Sequence, residues 1–122
     1  MKKLFLPLVF FILSGCYYDS VEALYGKPGA CDTTNIKFST AVQPILNSNC
    51  VNNCHYENAP YNTGKGIRLD DYPHVKTYVI NGQLKSSIEH TAPVYMPKNG
   101  GKLSDCDILI INAWITAKAP NN

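Results

Sequence analysis

Three observations predict an all-α domain. Apolar residues recur at helical spacing in four segments. No stretch holds the apolar–polar alternation of a strand beyond a few residues. The connections at 56–68 and 91–103 are long and rich in Asn, Gly and Pro. The chain has 122 residues, enough for one small domain. Its 45% hydrophobic and 16% charged residues place it among folded chains, not disordered ones. Four short helices with this much loop bury little apolar area. A large apolar cofactor at the centre would supply the missing core.

The helices follow in order. Ser39 is a good N-cap, and Val42, Ile45 and Leu46 fall on one face behind it. Pro44 sits awkwardly there; it must kink this helix or delay its start. Asp70 or Asp71 caps a second helix with Pro73 in its first turn and Val75 and Val79 on one side. Asn81-Gly82 is its stop signal. A short third helix carries Leu84 and Ile88. The fourth pattern is the strongest. Ser104 and Asp107 resemble a capping pair, and Ile108, Ile111 and Ile115 form one stripe. Ile110, Trp114 and Ala117 form a second stripe, so this helix is expected to pack on two sides.

Targeting is read at the N-terminus. Lys2 and Lys3 precede an apolar run from Leu4 to Leu13, the pattern of a secretory signal. A membrane-spanning helix needs about 20 apolar residues, so this run is too short to remain as a span. The run ends in Leu13-Ser14-Gly15-Cys16, small residues before a cysteine that resemble a bacterial lipobox. Residues 1–15 are then a lipoprotein signal peptide, Cys16 is the acylated N-terminus, and 16–30 is a tether. Several acyl chains at about 0.8 kcal/mol per buried CH₂ hold a protein to a membrane. An ordinary secretory signal is the other reading. Either one puts the domain at 31–122 outside the cytoplasm, in the cell envelope, where disulfides persist. Without Lys2 and Lys3 the eleven Lys/Arg fall to nine, matching nine Asp/Glu. That neutral balance excludes a nucleic-acid binder, which needs a basic face.

Five cysteines in so short a chain each need a role. Cys50-Val51-Asn52-Asn53-Cys54-His55 places two thiols just before an imidazole, the order of covalent haem c attachment. Each thiol adds across one vinyl group, which ties the porphyrin to the backbone. The following histidine then meets the iron as an axial ligand. Two residues usually separate the cysteines and here there are three, so one residue must bulge. Asn52 and Asn53 tolerate unusual backbone angles. Two other readings stay open. Cys50 and Cys54 could join each other or Cys31 and Cys106 in a disulfide scaffold, for which four cysteines allow three connectivities. They could also bind zinc with His55. Met96 is the one methionine besides Met1, and it precedes Pro97, which favours an extended backbone. Its thioether is the candidate sixth ligand; a plain core-filling methionine is the ordinary alternative. His90 and His74 are the competing ligands.

These pieces resemble the single-haem cytochrome c domain of small bacterial lipoproteins. The resemblance is carried by Val42-Gln43-Pro44-Ile45-Leu46, the Cys-Cys-His segment, Gly66-Ile67-Arg68-Leu69, Asn81-Gly82-Gln83-Leu84, Met96-Pro97, Lys102-Leu103-Ser104 and Trp114-Ile115. It covers about three quarters of the chain, from Cys31 on. It implies a cytochrome c-like fold, with the first and last helices crossing beside one covalent haem c. It implies thioethers at Cys50 and Cys54 and iron between His55 and Met96. With Cys16 lipidated, Cys31 and Cys106 then remain as a pair; two unpaired cysteines are the alternative. The function implied is single-electron transfer between redox proteins at a membrane, not enzyme catalysis. Ile67, Leu69, Ile88 and Trp114 are expected to keep the haem dry. Lys98 and Lys102 are ordinary solvated surface or a weak docking rim. Two rival functions stay open: a haem-free, disulfide-stapled surface lipoprotein acting in binding or assembly, and a haem enzyme or sensor that keeps an open coordination site.

Overall fold

Helix α1 begins at Phe38, one residue before the expected cap. Lys37 is extended and offers no side-chain bond. The free N–H groups of the first turn are met from far along the chain. Phe38 N–H donates to Asn122 Oδ1 at 2.8 Å, and Ser39 N–H to the Asn122 backbone oxygen at 3.0 Å. Ser39 therefore lies inside the helix, exposed. This computed structural model describes residues 31–122. The signal peptide, Cys16 and the tether expected at 16–30 lie outside the described residues.

Pro44 neither kinks α1 apart nor delays it. Phe38–Val42 winds with five-residue hydrogen bonds, Gln43–Leu46 with four, and Asn47–Val51 with five again. Gln43 N–H reaches Phe38 O across the first wide turn. The missing N–H of Pro44 falls where the wide register gives way to the regular one, so the helix runs through. Helix α2, Tyr61–Gly64, is one turn inside a stretch expected to be irregular.

Local signals set the next two helices. Asp71 caps α3, Tyr72–Ile80, by accepting from His74 N–H at 3.0 Å, with Pro73 in the first turn. Gly82 at φ 77° turns the chain directly into α4, Gln83–Ile88. Helix α5, Asp105–Thr116, is capped by Ser104, whose hydroxyl accepts from Asp107 N–H at 3.1 Å. Its first stripe is buried at Ile108 and Ile111 and half-buried at Ile115. The second stripe is incomplete: Trp114 is fully buried, Ile110 half-buried and Ala117 exposed. A disulfide joins Cys31 to Cys106 with Cα atoms 5.4 Å apart. It ties the start of the described chain to the first turn of α5.

The described residues are helical, with no strand among them. α1 and α5 meet in an aromatic corner. The Phe38 ring lies 5.3 Å from Trp114 and 5.2 Å, edge-on, from Tyr72. The polar tips are satisfied by the C-terminal tail. Trp114 Nε1–H donates to Pro120 O at 2.9 Å, and Tyr72 O–H to Ala119 O at 2.8 Å. Lys118 and Ala119 take positive φ, 73° and 48°, strained for residues with a Cβ. These hydrogen bonds, with Ala119 N–H to Trp114 O at 2.9 Å, hold them there.

Candidate functional site

The Cys-Cys-His segment leaves the last wide turn of α1. Cys54 N–H and His55 N–H both donate to Cys50 O, at 3.2 and 3.0 Å. The second bond spans five residues. The extra residue between the cysteines is thus absorbed by continuing the wide helical register, not by a bulge at unusual angles. Asn52 has ordinary helical angles, φ −55° and ψ −24°, and Asn53 is not among the positive-φ residues. The tolerance of the asparagines for unusual backbone angles is not called on here.

His55 is the one buried polar or charged residue in the described core, at 6% exposure. Its Nδ1 lies 3.0 Å from Ile67 O. A carbonyl only accepts, so Nδ1 carries the proton and Nε2 keeps its lone pair. His55 O in turn accepts from Leu69 N–H at 2.9 Å, so 67–69 brace the histidine on two sides. Gly64 makes this fit possible. A Cβ there would stand 2.1 Å from Cys54 O.

Two cavities open beside this segment and share Cys50, His55, Thr63 and Met96 as walls. The larger, about 530 Å³, has apolar walls that include Ile67, Leu69, Leu84, Ile88 and Val94. That volume lies within the range of small-molecule and cofactor sites. The smaller, about 310 Å³, is more polar, with Asn49, Asn53, Asn62 and Asn99 around Cys54 and Lys98. The crevice therefore has an apolar part and a more polar mouth. Ile67, Leu69 and Ile88 line it as expected. Trp114 does not; it belongs to the aromatic corner.

The cysteines differ. Cys50 is 8% exposed and Cys54 half-exposed, and both thiols are free. Burial pushes the Cys50 thiol up to about 11, and the neighbouring Cys54 adds to the effect. Met96 is half-buried at the border of both cavities. The competing ligands are occupied elsewhere. His90 lines neither cavity, and its Nε2 lies 3.0 Å from Met96 O. His74 Nδ1 lies 2.6 Å from Asp71 Oδ1. Lys98 stands at the crevice mouth, while Lys102 is exposed and lines neither cavity.

Among the described residues, one group of three His, Cys, Asp or Glu side chains converges closely enough to hold an ion: Asp70, Asp71 and His74. Arg68 already bridges its two carboxylates, at 2.9 and 3.2 Å. Cys50, Cys54 and His55 do not converge this closely. What the crevice does assemble is an apolar slot, a fixed imidazole with a free lone pair, a thioether and two thiols. The donor set and the slot fit a flat apolar macrocycle carrying a metal. Sequence reasoning missed Gly64, Thr63 and the Ile67 carbonyl, none of which carries a local signal. The chain matches no protein-family model, no curated protein and no solved structure.

Proposed function

We propose that this protein is a membrane-anchored c-type cytochrome that carries single electrons through one covalent haem. Cys50 and Cys54 would hold the macrocycle by thioethers, and His55 and Met96 would be its axial ligands. Bound there, the haem supplies a reversible one-electron change at iron. The observation that carries the reading is His55. A buried imidazole that lines the apolar cavity with Nδ1 tied to a backbone carbonyl is held as metal-bound histidines are.

The chain's own groups do the rest. The Ile67 carbonyl fixes the imidazole plane and tautomer and raises its basicity. The soft Met96 sulfur favours the reduced metal and so a higher potential. With His55 and Met96 both holding the metal, the site would suit electron transfer. Ile67, Leu69, Leu84 and Ile88 exclude water from the inner crevice. The polar mouth at Cys54, Asn62 and Lys98 is the natural exit towards donor and acceptor proteins. Cys16, if acylated, holds the carrier at the envelope membrane. No helix among the described residues is long and apolar enough to cross a membrane.

The test is expression of the full chain with a haem-attachment system. A denaturing gel stained for covalent haem and a reduced-minus-oxidised spectrum are then recorded. We expect one haem per chain, lost in Cys50→Ser with Cys54→Ser. A colourless product with Cys50 and Cys54 joined to each other would overturn the reading.

A further inference from the structure

The loop that presents Met96 is tied down by an unusual set of bonds. Met96 N–H donates to Ser87 O at 3.0 Å. Met96 O faces His90 Nε2 at 3.0 Å. Since the carbonyl can only accept, Nε2 carries the proton and donates. The loop's first residues are fastened too: Thr91 and Ala92 N–H reach Ser86 O at 2.9 and 3.2 Å. The His90 ring lies against Tyr95, with centroids 4.8 Å apart. His90 itself sits at φ 60°, a strained angle for a residue with a Cβ. Such strain persists where surrounding bonds over-determine it.

We infer that His90 is a positioning residue for the sixth ligand. It clamps the Met96 backbone so that the thioether faces the crevice, and it is not itself a ligand. The inference rests on the proposed reading of the site. With both backbone groups of Met96 held, one by Ser87 and one by His90, only the side-chain torsions are left to settle. The ordering cost of the loop is met before the sulfur engages. Without the imidazole, Met96 O turns to water and the residue hangs from Ser87 alone. One net hydrogen bond corresponds to about a fivefold change in the population of the detached loop.

The experiment uses the matured, haem-bearing full chain with His90→Ala and His90→Gln. The readouts are the thioether-to-iron charge-transfer band, the rate of carbon monoxide binding to the reduced protein, and thermal stability. In His90→Ala we expect carbon monoxide binding about fivefold faster and a weaker band. In His90→Gln the side-chain amide donates in place of the ring and restores both. If His90→Ala binds carbon monoxide no faster and keeps the full band, the inference is wrong. It is equally wrong if the two variants lose the band together in step with their melting temperatures. On the unmutated haem protein, isotope-edited NMR should find a His90 Nε2 proton coupled to the Met96 carbonyl; its absence would also overturn the inference. Failure of the site reading looks different, because the unmutated protein then carries no covalent haem, and the inference falls with it.

Discussion

The aromatic corner and the crevice share α1 and α3 but are built by opposite rules. In the corner, Phe38, Tyr72 and Trp114 pack ring to ring, and both polar tips find backbone carbonyls within 3 Å. Nothing there is left to react or coordinate. In the crevice, His55, Met96 and Cys50 border the apolar cavity and Cys54 the more polar one, and His55 Nε2, the Met96 sulfur and the two free thiols have no protein partner among the described residues. The difference separates what stabilises the chain from what gives it chemistry. The corner holds the fold, and the crevice holds donor atoms with no protein partner among the described residues.

Trp114→Ala is the largest expected blow. It removes a fully buried ring and its hydrogen bond to Pro120. Truncations of this kind cost about 3–5 kcal/mol. In a domain of this size that lowers the melting temperature by roughly 15–30 °C. Below the transition, the spectrum of the haem-bearing protein should stay that of the unmutated chain. A changed axial-ligand signature in the still-folded variant would break the division between the two regions. Removing the bridge with Cys31→Ser and Cys106→Ser comes next. The sequence separation of 75 gives up to about 4 kcal/mol in the chain-entropy model. Urea unfolding should show this loss with the ligand signature intact.

Legibility in the sequence divides by range of contact. Asp71, Ser104 and Asn81-Gly82 act on neighbours three or four residues away, and their helix ends are readable one by one. The start of α1 is not. Its cap is Asn122, 84 residues from Phe38, so the local signal at Ser39 misleads. The wide register around Pro44 and through Cys50–His55 also leaves no mark, because helical periodicity assumes 3.6 residues per turn. In the candidate site, the residue types and their order were legible. What braces them was not. The Ile67 carbonyl and the Gly64 approach are backbone features that any side-chain pattern leaves out. Trp114 shows the converse error: its pattern suggests a wall of the slot, but the ring packs in the corner and its helix lines neither cavity.

Gly64→Ala sharpens the comparison from the crevice side. The added Cβ would meet Cys54 O at 2.1 Å, and backbone cannot give way as a flexible side chain would. Overpacking of this sort costs about 1–3 kcal/mol. The damage should be local. Covalent haem yield is expected to fall several-fold, while Trp114 fluorescence keeps its native position. Equal haem yield in the variant and the unmutated chain would mean that the Cys54–His55 turn is looser than its bonds imply.

The smallest effect lies where the two regions join. Arg68 donates to Asp70 through Nε at 2.9 Å and Nη2 at 3.1 Å, and to Asp71 at 3.2 Å. Glu57 N–H, two residues past His55, donates to Asp70 Oδ2 at 2.8 Å. One network thus links the histidine turn to the cap of the helix that carries Tyr72. The Arg68 bond holds the Asp70 carboxyl below its usual range, with the Glu57 bond assisting against partial burial. The His74 N–H bond does the same for Asp71. Carboxyls lowered by folding stabilise the native state above the ordinary aspartate range, near pH 4. That stability is lost as pH falls through the lowered values. Ion pairs near the surface are worth about 1 kcal/mol or less. Asp70→Asn should therefore shift the urea midpoint slightly at pH 6, and by less well below the ordinary aspartate range, as the native carboxyl takes up its proton. A shift of the same size at both pH values would assign the effect to the shape of Asp70 and not to its charge.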